Sequence, residues 1–199
     1  MTAVATSPCL RADDGSVLAL PADRWFAPAD PVDEALLDRV RGPVLDVGCG
    51  PGRHLVALGG RGIPALGIDI SPAFLAAARA RGVAVLERCV FGRVPGAGRW
   101  ATALLLDGNI GIGGDPTALL ARLGSLLRPD GRVYVELEPV DHHAPVRVVR
   151  AEHDRATGPW FRWAVVGPGQ LERVAQNSGW HIADHFVVGA RHFAELTRR

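Results

Sequence analysis

Val44-Leu45-Asp46-Val47-Gly48-Cys49-Gly50-Pro51-Gly52-Arg53-His54-Leu55-Val56-Ala57-Leu58 decides how the rest of the chain is read. Val44 to Val47 has the character of a short buried strand. Glycine then takes every second place, and Arg53 to Leu58 opens a helix. A strand that runs through glycines into a helix turns tightly, lets a ligand approach the main chain, and places bare backbone N–H groups beside a crevice. The dinucleotide fingerprint Gly-x-Gly-x-x-Gly uses its third glycine for close helix–strand packing. Here the spacing is Gly-x-Gly-x-Gly, and Arg53 stands in the place of that third glycine. Asp46, two residues before the loop, would repel a diphosphate and suits a ligand that carries an ammonium group.

Ala65 to Ile70 reads as a second buried strand. Asp69 near its end lies 17 residues after Gly52, about the distance at which an acid on a second strand meets ribose hydroxyls. The loop and Asp69 together ask for a nucleoside with a charged, non-phosphate tail. S-adenosylmethionine has that shape.

Residues 44–52 and 67–71 resemble motif I and the following acidic motif of the class I S-adenosylmethionine-dependent methyltransferases, and the likeness continues more weakly to about residue 138. The resemblance implies an α/β chain with a single three-layer Rossmann-like fold. Its sheet would have seven strands, mostly parallel with one antiparallel, and helices on both faces. It implies S-adenosyl-L-methionine as cofactor, met by Asp46, Gly48, Cys49, Gly50, Gly52, Asp69 and Ile70. It also implies that the adenine ring is met just after the third strand, Val83 to Leu86. The family often has an acid there, and this chain has Cys89-Val90-Phe91. Cys89 accepts a hydrogen bond poorly. Either Val90 and Phe91 hold the ring by main-chain and apolar contact, or a water replaces the acid.

Ala101 to Leu106 reads as the central fourth strand. Asp107 and Asn109 follow it, at a carboxyl edge where ligands bind in open α/β sheets, and are expected to face the methionine end of the cofactor or the acceptor. Pro116 to Leu127 reads as a helix capped by Asp115. Arg128 to Gly131 reads as the turn into a fifth strand, Arg132 to Glu138. Glu136 and Glu138 alternate with Val135 and Leu137, so one of them is expected to orient a histidine or bind a cationic acceptor. His142 and His143 come next and are the candidate catalytic bases for an acceptor that must lose a proton. His54 reads as packing or surface, and His153 as part of a solvated loop.

Residues 139–166 form a substrate-side insertion in which Val146 to Val149 and Trp160 to Val166 are expected to pair as a β-arm across the site. A last helix runs from Pro168 to about Ser178. Trp180 to Val188 and His192 to Leu196 then form an edge hairpin. At the other end, residues 1–29 read as an extension to the domain of residues 30–199. Its first 15 residues are expected to be poorly ordered, and Ser16 to Leu20 extended. Trp25 and Phe26 either help to close the site, with Trp25 near the substrate, or simply anchor a loose segment. Asp30-Pro31 starts a helix to about Val40 that buries Val32, Ala35, Leu36 and Val40.

The 199 residues are 48% hydrophobic with a net charge of +1. That is enough for one core, without a basic tract to follow nucleic acid. No apolar run has transmembrane length, no secretory leader is evident, and three widely spaced cysteines suggest free thiols in the cytoplasm. No Cys/His/Asp group has metal-ligand spacing. The expectation is a metal-independent methyltransferase, monomer or homodimer, that transfers a methyl group in line to O or N of a small molecule. A protein that binds the same nucleoside without turnover is the alternative. A nicotinamide-dependent enzyme is a third reading, opposed by Asp46 and the missing glycine.

Overall fold

The structure is a computed structural model that describes residues 9–139, 146–153 and 156–198. In chain order the elements are β1 (Cys9–Ala12), β2 (Val17–Ala19), α1 (Ala22–Phe26), α2 (Pro31–Leu37), β3 (Val44–Val47), α3 (Arg53–Gly60), β4 (Ala65–Asp69), α4 (Pro72–Ala80), β5 (Val85–Glu87), β6 (Trp100–Leu105), a 3-10 turn (Asn109–Gly111), α5 (Pro116–Leu126), β7 (Leu127–Leu137), β8 (Arg147–His153), β9 (Ala156–Thr157), β10 (Phe161–Trp163), α6 (Pro168–Asn177), β11 (Trp180–Val188) and β12 (Arg191–Arg198). Three helices, α2, α4 and α5, start the same way. Asp30, Ser71 or Asp115 caps the end by accepting a main-chain N–H, and a proline occupies the first turn. The proline lacks the N–H that a first turn cannot use, and its φ is already helical.

Seven strands lie in the order β11-β12-β7-β6-β3-β4-β5. β3 to β7 run parallel within it, and β12 is antiparallel to both of its neighbours. This is the Rossmann-like sheet that the motifs implied. Both faces are covered, so the central strands are largely apolar and their side chains alternate between two cores. Leu45, Ala103, Leu105, Val133 and Val135 pack against Leu119, Leu123 and Leu126 of α5 and Leu171 of α6. Val44, Leu104 and Tyr134 pack the other way, against Leu36 and Leu37 of α2 and Leu58 of α3. The chain leaves β3 in one direction and returns through β6 on its other side. The crevice beyond these two carboxyl ends is therefore the switch point of the sheet.

Three expectations need correction. Arg128 to Gly131, expected as a turn, lie within β7 at an interruption of its ladder to β6, and Leu127, expected to end the helix, is the first residue of β7, opposite Trp100. Pro129 is tolerated because β12 pairs with β7 only from Arg132 onward, so no ladder bond is lost. α2 ends at Leu37, short of the expected Val40. Of the expected stripe Leu36 and Val40 are buried and Val32 packs against the same core, but Ala35 is exposed, and Asp33 and Leu37 join the buried side instead. Cys9–Ala12, expected to be poorly ordered, is a strand.

That strand belongs to a second sheet, in the order β10-β8-β1-β2 with β9 on β8. The arm of β8 and β10 does form, and β1 extends it by pairing Cys9–Ala12 with Val149–Glu152. Leu10, Ala12 and Val149 make its small core, with Phe161 and Trp163 against them. So small a core gives little cooperativity with the main sheet. Leu10→Asp is expected to speed amide exchange across Arg147 to Ala151 and Phe161 to Trp163 at least tenfold, while exchange in Val133 to Leu137 stays put. Equal acceleration in both sheets, measured by hydrogen–deuterium exchange, would show that the two sheets unfold as one.

Candidate functional site

The glycine loop between β3 and α3 is closed by its own bonds. The N–H groups of Gly48 and Cys49 donate to Ile68 O (2.8 and 3.2 Å), and that of Gly52 donates to Cys49 O (3.0 Å). Gly50 N–H donates to Asp69 Oδ2 at 2.9 Å. The bare N–H groups anticipated at the crevice are therefore already used, because β4 runs close enough to take them. Asn109 Nδ2 donates to both Val47 O (2.9 Å) and Gly48 O (3.0 Å), stapling the loop after β6 to the loop after β3. Gly48 has to be glycine. Its φ is +74°, and a Cβ there would sit 2.6 Å from Asn109 Nδ2.

Asp69 stands at the end of β4. Its Oδ1 accepts from Ser71 N–H at 2.8 Å, and Oδ2 accepts from Gly50. Burial raises its pKa against those two bonds, and each oxygen keeps a further lone pair for a ligand. Ile70 beside it is exposed, as are Cys89 and Phe91 beyond β5. The Phe91 ring lies against Gly113. Val90 is different. Its side chain is part of the main core, and its carbonyl accepts from Arg122 Nε at 2.9 Å. Arg122 of α5 also donates to Gly92 O at 2.6 Å, so it fixes this stretch. Nothing in the helical pattern around Arg122 announced that role. Cys49 points away from solvent, against Gly67, and burial pushes its thiol pKa well above the ordinary range. Its side chain forms a wall of the loop.

Below the loop lies a network of buried charges. Arg53 Nε donates to Asp33 Oδ2 at 2.9 Å, and its Nη1 and Nη2 reach the Asp107 oxygens at 2.8 and 3.1 Å. Arg191 donates to Asp33 Oδ1 at 2.6 Å and to both oxygens of Glu136 at 2.6 and 2.7 Å. Glu136 also accepts the Asp107 main-chain N–H at 2.8 Å. Arg24 of α1 reaches Asp107 Oδ1 at 2.7 Å. Asp107 itself has φ +55°, a left-handed conformation seldom adopted without such anchoring. His54 is neither surface nor apolar packing. Its Nε2 is 3.3 Å from Asp33 Oδ1, and its Nδ1 is 3.8 Å from Asp46 Oδ2.

The acids in this network differ in kind. Burial alone would raise the pKa of Asp33, but bonds from His54, Arg53 and Arg191 hold it far below the usual range. Burial is likewise outweighed at Asp107, chiefly by Arg53. Asp46 is only 1% exposed, and its Oδ2 has no hydrogen-bond partner among the described residues. Burial pushes its pKa up to about 6 against the pull of His54 and Arg53. Glu136 is wholly engaged within the chain. Glu138, past the end of β7, is exposed and shares a narrow cleft with Gly108, Ile110 and Trp163 to Val166. His142 and His143 lie outside the described residues.

α1 borders the site from above. Arg24 ties it to the end of β6. Trp25 and Phe26 pack edge-on to Phe74 of α4, with centroids 5.9 and 6.1 Å apart, and Arg81 donates to Phe26 O. Two buried donors here, Arg24 Nε and Trp25 Nε1, have no acceptor among the described residues.

A family model described as a methyltransferase domain matches residues 24–185. No curated protein matches the chain in sequence. Among solved structures, the chain is similar to a SAM-dependent methyltransferase from Bacteroides fragilis in complex with S-adenosyl-L-homocysteine. The identity is 23%, over 99% of this chain and 90% of that one, with a TM-score of 0.82. It is also similar to 1,6-didemethyltoxoflavin-N1-methyltransferase from Burkholderia thailandensis, with its substrate and S-adenosylhomocysteine bound: 22% identity, 89% and 81% coverage, TM-score 0.64. A third is magnesium protoporphyrin IX methyltransferase from Synechocystis PCC 6803 with bound SAH: 16% identity, 89% and 93% coverage, TM-score 0.63. These likenesses are of fold.

The Asp46 carboxyl has a higher pKa folded (about 6) than its ordinary 3.8. The folded state therefore holds that proton more tightly, and Asp46 lowers stability as pH rises from about 4 to about 6. Asp33 acts with the opposite sign: its contribution is present above the ordinary carboxylate pKa and is lost in acid. Asp46→Asn removes only the first effect. Its unfolding free energy relative to the parent is expected to improve by up to about 3 kcal/mol between pH 4 and pH 7. A difference that stays flat with pH in urea titrations would overturn this account of Asp46.

Proposed function

The chain belongs to the class I S-adenosylmethionine-dependent methyltransferases, and on that premise we propose that it methylates a nitrogen or oxygen of a small-molecule acceptor by in-line transfer. The observation that carries the reading is Asp69, held at the end of β4 with lone pairs to spare, beside Gly50, whose Cα faces open space. In this reading Asp69 receives the ribose hydroxyls. Ile70 and Phe91 flank the adenine with exposed apolar surface. Cys89 sits at the rim, and Val90 contributes only its main chain. The glycine loop gives the nucleoside room, and Asp46 shapes it from beneath. The methionine tail is a zwitterion, and Asp107 with Arg24 offers it the complementary pair of charges. The unpartnered Arg24 Nε supplies a donor for the carboxylate.

When bound, S-adenosylmethionine supplies an electrophilic methyl group on a sulfonium. The chain's part is to hold the acceptor in line and to exclude water. Trp25 and Phe26 on α1 serve the second task, while Asn109 keeps the two crevice loops in register for the first. His142 and His143 are the proposed acceptors for a proton that leaves the substrate. Near-neutral net charge favours a free metabolite over nucleic acid. The three free cysteines favour a reducing, cytoplasmic setting. Among the described residues no helix is long and apolar enough to cross a membrane.

Calorimetric titration with S-adenosylhomocysteine tests the nucleoside site. Asp69→Ala is expected to weaken binding at least tenfold without loss of fold by circular dichroism, and unchanged affinity would refute the ribose assignment. Replacing His142 and His143 together by Ala is expected to slow turnover more than tenfold while S-adenosylhomocysteine affinity stays within twofold. Normal turnover would clear both of a catalytic role.

A further inference from the structure

The two acids of β7 and its end, Glu136 and Glu138, have different fates. Glu136 faces the charged floor and is neutralised by two hydrogen bonds from Arg191, with Arg24 Nη2 3.6 Å away. Among the described residues no side chain pairs with the Glu138 carboxylate. Its described hydrogen bond is that of its own main-chain N–H to Val166 O at 3.2 Å. That bond helps to pin Trp163 to Val166 in place. On the other side of the segment, Ala164 N–H donates to Gly111 O at 3.0 Å, and Ile112 bridges to Trp163. Trp163 thus stands opposite Glu138, across a cleft that also touches Gly108.

Gly108 marks the point where the two converge. A Cβ there would lie 3.7 Å from Glu138 Oε1 and 3.7 Å from Trp163 Cζ2. Because Gly108 has φ +80° and no side chain, that space stays open. It opens one residue beyond Asp107, at the carboxyl end of β6, beside the switch-point crevice. A carboxylate with no side-chain partner among the described residues and an indole ring, with the apolar Ile110, Val165 and Val166 lining the same cleft, are the elements of a site for an organic cation. A neutral hydroxyl would satisfy neither the charge nor the quadrupole.

We infer that the acceptor is an amine, and that its protonated nitrogen docks between the Glu138 carboxylate and the Trp163 indole. This rests on the reading of the chain as a methyltransferase with a small-molecule acceptor, and narrows it to N-methylation. The docked ammonium loses one proton to solvent. The freed lone pair then forms the N–C bond as the C–S bond breaks, and that electron pair remains on sulfur. Burial and the neighbouring Glu136 charge raise the Glu138 pKa, as an unpaired acid at such a place should show. That unfavourable environment is relieved when a cation enters.

The test uses the full chain saturated with S-adenosylhomocysteine, titrated with benzylamine, 2-phenylethylamine and cyclohexylamine and with the matching alcohols. Amines are expected to bind at least tenfold tighter than alcohols of the same skeleton. Glu138→Gln is expected to erase that preference, and Trp163→Leu to weaken amine binding at least threefold. S-adenosylhomocysteine affinity should stay within twofold of the parent in both, which also certifies the fold. A parent that binds S-adenosylhomocysteine but shows no preference for amines, or a preference that survives Glu138→Gln, overturns the inference and leaves the methyltransferase reading standing. A parent that fails to bind S-adenosylhomocysteine overturns both.

Discussion

Asp33, Arg53 and Asp107 form the joint on which the crevice is built. Each comes from a different element: α2, the first turn of α3, and the end of β6. Arg191, the first residue of β12, adds Glu136 of β7 to the same network. Taking so many charges out of water costs several kcal/mol per ion unless every one is matched. The matching holds for Asp33, Asp107 and Glu136, each of which receives two or more donors. Such a network contributes little net stability compared with an apolar core of the same volume. What it contributes is position. Loss of one partner leaves a buried charge uncompensated, so the ends of β6, β7 and the hairpin are held in one arrangement.

The glycine loop above this joint works by a different principle from a phosphate cradle. A cradle leaves its N–H donors free for an anion. Here Ile68, Asp69 and Cys49 take the donors of Gly48, Cys49, Gly50 and Gly52. A diphosphate would find no partner in these four groups. The saturation of the loop suits the proposed reading, in which a ligand whose recognisable groups are hydroxyls and an ammonium brings its own donors to the acceptors of Asp69 and Asp107.

Much of this was legible in the chain because local and global signals agree. Strands buried on both faces read as unbroken apolar runs. Asp-Pro and Ser-Pro dipeptides announced three helices. Glycine spacing and Asp69 located the crevice. What was hidden depends on distant partners. Asp33 sits on an ordinary helix start, and only Arg53 and Arg191 make it an interior residue. Glu136 and Glu138 look equivalent in the strand pattern, yet Arg191 engages one and leaves the other. Pro129 signals a turn wherever the edges of a strand are paired, and around Pro129 the registers of β7 with both β6 and β12 are interrupted, so the strand range passes through it. Arg122 carries no pattern at all, since its acceptors are main-chain carbonyls of a loop about 30 residues earlier.

The pairing of β1 with β8 carries a consequence for the order in which the molecule assembles. Arg11 meets Glu152 across a separation of 141 residues, so the ribosome has delivered three quarters of the chain before β1 can find its place. The parallel strands β3 to β6 involve far shorter loops and can condense sooner. The cleft beside Glu138, bounded by Trp163 of β10 in the same small sheet, is therefore completed late, after the parallel strands around the switch point are in place.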